Sequence, residues 1–434
     1  MQVEMNTTAS TDSVPGEAAR QGVDAPDLRI FVFALFFIFG GLTSLNDVII
    51  PKLKELFTLT HARAMLVQTA FFLAYALFSL PAAGIVRRLG YMRTAAVGLV
   101  TMTAGCLLFI PASRTATFGL FLVALFVLGA GITVVQVVAN PLISLLGKPA
   151  TAHSRLTFAQ AFNSLGTTVF PRVGSVLILG GLAGVSAATL SGPALDLYRT
   201  EATRAIVGTY LALAVALLVI AAAVWMKRDR LKGLERQDQA GGLFHAFGLL
   251  ARPRFAFGVA CIFLYVGAEV AIGSLMVSYL VQSDVWGASE QEAGNHLVYY
   301  WGGALVGRFV GAGVLRTVSP GRVLAIVALG AMALCLVSAG TTGAVSGWAL
   351  LAVGLCNSVM FPTIFALASE GLGARAAEGS GVIATAIVGG AIVPVLTGQV
   401  ADLAGLHASL ALPAACYLVI LAFGLYAARK PASS

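Results

Sequence analysis

Charge is what this chain has least of. Only 11% of its 434 residues are charged, against 58% hydrophobic, and its mean hydropathy is +0.90; a water-soluble globule carries about 25% charge. That deficit excludes a soluble domain and leaves a polytopic membrane protein. Histidine is scarce, at five residues, and the five cysteines (Cys106, Cys261, Cys335, Cys356, Cys416) stand singly inside apolar runs with no CxxC spacing. Neither a disulfide framework nor a metal site follows, no cofactor is expected, and the cysteines read as small packing residues. Residues 1–27 are rich in Ser, Thr, Ala and Gly and lack a basic stretch leading into a short apolar core, so they read as a disordered tail and not as a signal peptide. No nucleophile, base and orienting acid occur together and no phosphate-cradling spacing is present, which leaves an enzyme with little support. The net charge of +8 does not imply nucleic acid, because the basic residues lie in short links between apolar runs instead of on one face.

Long apolar runs are what the sequence has in abundance. Twelve approach or exceed the ~20 residues that a bilayer core requires: 28–50, 63–85, 94–111, 117–146, 156–180, 204–226, 254–281, 293–315, 323–340, 346–371, 380–403 and 408–427. The expected architecture is all-α, with twelve transmembrane helices in two six-helix bundles, 28–226 and 254–427. Residues 227–253 form a charged linker that carries a short surface helix near Leu243–Leu250, and 428–434 form a tail. If the tails and linker share one side, most basic residues fall there, and the other side keeps only Lys52, Lys54, Arg63, Arg114, Arg199 and Arg204. The positive-inside bias then places both termini in the cytoplasm.

Within these runs a few polar residues need a reason. The stretch GAGITVVQVVANPLISLL, 129–146, sets Gln136 and Asn140 four residues apart on one helical face just before Pro141. An unpartnered amide is costly in hydrocarbon, so that face must look onto protein or a water-filled cavity. Advancing 221 positions brings Gln136 to Asn357 and Pro141 to Pro362, so an amide precedes a proline by five residues in both halves. A tandem pair of halves around a shared cavity explains this, with Gln136 and Asn357 facing across it; two unrelated kinked helices whose amides bond neighbouring backbone remain the alternative.

Ionisable groups inside spans cost at least ~2.5 kcal/mol each even on insertion scales, so each is a functional candidate. They are Asp47, Glu269, Asp402, Arg172 and Arg308. Arg308 lies near the cytoplasmic end of its run and reads as structural; Arg172 and Asp47 share the outer half of the first bundle and either pair or face water separately. Glu269 sits mid-membrane among uncharged neighbours, where a carboxylate can take up a proton or a sodium ion. Gln68, Gln160, Asn163, Tyr265, Tyr300 and Trp301 lie at similar depths. Amides bond hydroxyls in both directions and aromatic faces stack on C–H surfaces, a mixture that suits an uncharged polyol, although interfacial anchoring explains any single aromatic as well.

The segments SLNDVIIPKLKELFTLT (44–60), QVVANPLISLLG (136–147), RLTFAQAFNSLGT (155–167), FLYVGAEVAIGSLMVSYL (263–280), GRFVGA (307–312) and FPTIFALA (361–368) resemble the fucose:proton symporter family of the major facilitator superfamily, in particular its glucose/galactose transporter branch. The resemblance covers essentially all twelve spans. It implies the major facilitator fold and cation-coupled import of a hexose such as glucose or galactose by alternating access. It further implies a carrier acting as a monomer in a plasma membrane, the bacterial inner membrane, with a sugar and membrane lipid as its partners. In that family an essential Asp matches Asp47, an essential Glu matches Gln136, and a Gln matches Glu269, so this chain keeps the first acid and exchanges the other two. The expected sugar contacts are Gln136, Asn140, Gln160, Asn163, Glu269, Trp301 and Asn357. The coupling acid is Asp47, with Glu269 as the alternative. An amino sugar or fucose importer, and a facilitative or export carrier for another small polar molecule, are the other readings.

Overall fold

A computed structural model describes residues 26–429 except 116, 147–151, 180–190, 231–246, 316, 373 and 374. Residues 1–25 and 430–434 of the expected tails and the first half of the linker helix near Leu243–Leu250 lie outside the described residues; of the linker helix, Gly248–Ala251 is a single 3-10 turn. Among the described residues there is no strand. The long helices are α1 (Pro26–Leu56), α2 (Leu66–Leu89), α3 (Tyr91–Leu107, continued by Phe109–Thr115), α4 (Phe118–Leu145), α5 (Ala152–Gly174) and α6 (Pro193–Met226). They are followed by α7 (Pro253–Leu280), α8 (Glu290–Val314), α9 (Pro320–Gly340), α10 (Gly343–Asn357 and Met360–Ser369), α11 (Ala376–Thr385 and Gly389–Ala404) and α12 (Ala411–Arg429).

Local chemistry sets several starts. Pro253 and Pro320 occupy the first turns of α7 and α9, where a missing N–H costs nothing. Ser289 and Glu292 close a reciprocal capping box on α8, the Ser289 hydroxyl accepting from the Glu292 N–H at 3.2 Å and the Glu292 carboxylate from the Ser289 N–H at 3.0 Å. Among the described residues ten helices are long and apolar enough to cross a membrane, and α5 and α8 are not among them. Gln160, Asn163 and Arg172 dilute α5, and Asn295, His296 and Arg308 dilute α8. These two helices pack on each other, and Asn295 and Arg308 of α8 reach across the shared face to Ser175 and Ser164, so the polar residues of that face meet protein and not lipid.

Helix pairing repeats between the halves. In the first, α1 packs on α5, α2 on α4, and α3 on α6; in the second, α7 packs on α11, α8 on α10, and α9 on α12. Each pairing recurs six helices on. The halves meet through α1 on α7, α2 on α11, and α5 on α8, and the last two exchange when each label is advanced by six around the ring. That is the relation expected of an approximate two-fold axis along the bundle.

The end opposite the termini is closed. The Asp402 carboxylate, at the end of α11, accepts from the backbone N–H of His61 at 2.6 Å and of Ala62 at 2.8 Å, capping the turn before α2 from the other half. Gly398 makes this approach possible, since a Cβ there would stand 2.9 Å from Ala62 Cα. Asp402 is therefore a latch at the bundle's end and not a mid-membrane acid. Beside the latch lies a cavity of about 440 Å³ lined from both halves, including Lys54, Glu55, His61, Ser278 and Glu290. Buried Lys52 beside it donates to Glu55 at 2.9 Å and to the Tyr198 hydroxyl at 2.8 Å, tying α1 to α6.

Candidate functional site

One turn and more below this latch, α1 brings Asp47 to the seam between the halves. Gly273 lets α7 approach there, since a Cβ at that position would stand 3.3 Å from both Asp47 Oδ2 and the Trp301 ring. Asp47 is buried, and its carboxylate accepts three hydrogen bonds. One comes from Gln68 Nε2 of α2 at 3.1 Å, one from the Ser274 hydroxyl of α7 at 3.0 Å, and one from the Trp301 indole N–H of α8 at 3.2 Å. Gln68 Nε2 also reaches Ser274 Oγ at 2.7 Å, while Gln68 Oε1 is buried with no hydrogen-bond partner. Arg172 is exposed and is not among these contacts, so of the two arrangements open to it, pairing with Asp47 does not occur.

A second polar cluster stands on the same face of the second half. Glu269 is half-buried and accepts from the Tyr265 hydroxyl at 2.8 Å; that hydroxyl also lies 3.0 Å from the Asn357 carbonyl, and its one proton serves either acceptor in turn. The Tyr300 hydroxyl donates to the Glu269 backbone carbonyl at 2.9 Å and accepts from Asn357 Nδ2 at 3.0 Å. Tyr417 completes the chain by donating to Asn357 Oδ1 at 2.9 Å. Asn357 is buried and spoken for on both sides of its amide, so it braces α8, α10 and α12. The Glu269 carboxylate keeps unused acceptor sites, and it lies near enough to Asp47 and to Arg308 to act on both through its charge.

The first half supplies the amides. Gln136 is half-buried and, like Thr43, stands close to the Tyr75 hydroxyl. Gln160 and Asn163 are half-buried on α5, with Asn163 Nδ2 3.4 Å from the Phe36 carbonyl. The backbone of Asn140 is helical, but its side chain lies outside the described residues. The structure thus brings Asp47, Trp301 and Glu269 into one neighbourhood and gives Asn357 internal partners. Ser274 and Tyr417 were not singled out in the sequence. A serine in an apolar helix ordinarily bonds the carbonyl a turn before it, so nothing marked Ser274 as a cross-half ligand. Among the described residues no group of three or more His, Cys, Asp and Glu stands ready to hold a metal.

The sequence profile of the Major Facilitator Superfamily matches residues 32–392. The chain belongs to that superfamily. Within it, the chain is 45% identical over 396 residues to the glucose/galactose transporter of Brucella abortus, covering 91% of this chain and 93% of that one. It is 34% identical over 403 residues to the L-fucose-proton symporter of Escherichia coli, covering 91% of each. The crystal structure of the Escherichia coli fucose:proton symporter superposes with a TM-score of 0.68 at 30% identity, covering 92% of this chain and 98% of that one. This facilitator is accordingly a member of the fucose:proton symporter family, and α1 to α12 correspond to the fold of that neighbour.

Proposed function

We propose that this protein imports a hexose of the glucose/galactose class by alternating access, driven by a cation gradient. Kinship with carriers named for glucose/galactose and fucose supports the substrate class. The observation that carries the mechanism is the bond between Asp47 of one half and Trp301 of the other, with the Glu269 carboxylate alongside. A ring that offers its face to a pyranose and its N–H to the coupling acid links the two ligands directly. Glu269, Gln136, Gln160, Asn163 and Trp301 contact the sugar; Asn140 shares the face of Gln136 and joins them, whereas Asn357 acts by bracing Tyr300 and Glu269.

The coupling ion is a proton taken up at Asp47. All three contacts to Asp47 donate, which satisfies a bare carboxylate without a metal ion. Once protonated, Asp47 has a donor to place, and the buried Gln68 Oε1 is an acceptor with none. Rotation of that amide exchanges one arrangement for the other. Protonation therefore loosens the Ser274 and Trp301 contacts that hold the halves together and favours opening of the latched end.

The site is built by the two halves of one chain, so a monomer suffices. The concentration of Arg and Lys at the end that holds both termini supports placing that end on the cytoplasmic face of a plasma membrane. The test is uptake of labelled hexoses into proteoliposomes with pH and sodium gradients imposed separately. Accumulation of glucose or galactose driven by the pH gradient alone is the expected result; accumulation only under the sodium gradient refutes the proton, and no hexose uptake refutes the function.

A further inference from the structure

Arg308 performs a task that the helix break in α10 creates. Pro362 has no N–H, so the Ser358 carbonyl four residues earlier loses its helical partner, and α10 is interrupted between Asn357 and Met360. Arg308 Nε stands 3.4 Å from that carbonyl. The same guanidinium crosses to the first half, where Nη1 donates to the Ser164 hydroxyl and lies 3.5 Å from the Gln160 carbonyl. Ser164 Oγ in turn donates to the Gln160 carbonyl at 3.1 Å, so one turn of α5 presents both acceptors. A second contact, Ser175 just past the end of α5 with Asn295, pins the same seam 11 residues beyond Ser164 and 13 residues before Arg308 on α8, roughly 16–20 Å along the helices.

We propose that Arg308 is a positioning residue of the transport site. It fastens the turn of α5 that carries Gln160 and Asn163 to the broken segment of α10 next to Asn357, and so holds the polar groups of the two halves in register. The inference rests on the reading that Gln160 and Asn163 contact the sugar. The planar fork matters because one group must reach acceptors on two helices, a geometry that a lysine ammonium on a flexible stem does not reproduce. The competing role is a charge that merely neutralises Glu269, and it makes no demand on Ser164.

Calorimetric titration of the purified full-length chain with D-glucose and D-galactose, alongside thermal melting without sugar, separates these. Ser164→Ala should weaken binding three- to tenfold with little change in melting, and Arg308→Lys and Arg308→Gln at least tenfold. Asn163→Ala run in parallel reports on the site itself. If Asn163→Ala weakens binding but Ser164→Ala and Arg308→Lys bind as the parent does, Arg308 acts through charge and the inference fails. If Ser164→Ala lowers melting but leaves affinity unchanged, the contact is structural only and the inference fails again. If Asn163→Ala itself binds normally, the reading of the α5 wall is wrong and the inference falls with it.

Discussion

The indole N–H of Trp301 in the second half donates to the carboxylate of Asp47 in the first, at 3.2 Å. A charged acceptor makes such a bond worth about 1.5–3 kcal/mol, enough to couple two binding events by tenfold or more. Because the ring is half-buried while the acid is buried, the contact runs from the wall of the site into the seam that closes it.

Trp301→Phe keeps an aromatic face, on a smaller ring, and removes the donor. It should hold hexose affinity within about threefold of the parent at any one pH while flattening the pH dependence of that affinity. Calorimetric titration with D-glucose at two pH values checks this; an unchanged pH dependence means that the indole N–H is not the link.

The amides divide into two groups. Gln136→Ala and Asn163→Ala should each weaken hexose binding by about 0.5–1.5 kcal/mol, a factor of roughly 2 to 13, through loss of one hydrogen bond to an uncharged ligand. Asn357→Ala should instead lower the melting temperature of the sugar-free protein, since it strands the Tyr417 hydroxyl and removes the brace on Tyr300. Calorimetry and thermal melting on all three variants test the division, which fails if Asn357→Ala changes affinity alone.

Asp402→Ala removes the acceptor for two backbone N–H groups across the halves. The population open at the latched end should rise. A cysteine placed at Ser278, which lines the cavity beside the latch, should react with an impermeant maleimide several-fold faster in the Asp402→Ala background, with the native cysteines replaced. Equal rates in both backgrounds would show that the latch does not hold the closed state.

Much of the fold was legible because twelve runs of bilayer length need no knowledge of neighbours. The depth of Asp47 and Glu269 was legible for the same reason, since rise per residue converts sequence position into height. Which way each residue faces was not. Helices apolar on nearly every side carry little directional signal, so Arg172 could be offered to Asp47 although it is exposed, and Asn357 could be set against Gln136 although Tyr300 and Tyr417 hold it. The resemblance between Gln136 and Asn357 is real at the level of the repeat, each preceding its proline by five residues. The halves differ in that α4 runs on helically through Pro141 whereas α10 breaks before Pro362, and in that Tyr417 adds a second tyrosine to Asn357. Arg308 was read as structural from its depth alone, and its partners on both halves emerged only with the packing of α5 on α8.

The separation of roles between the two acids is tested most directly by measuring sugar counterflow and gradient-driven accumulation on the same two variants in proteoliposomes. A carrier whose coupling acid is permanently neutral still exchanges sugar and loses only the ion-linked step. Asp47→Asn should therefore keep counterflow and lose concentrative uptake, while Glu269→Gln should lose affinity in both assays. Normal accumulation by Asp47→Asn, together with a Glu269→Gln variant that exchanges sugar but cannot concentrate it, would contradict the assignment and move the coupling to Glu269.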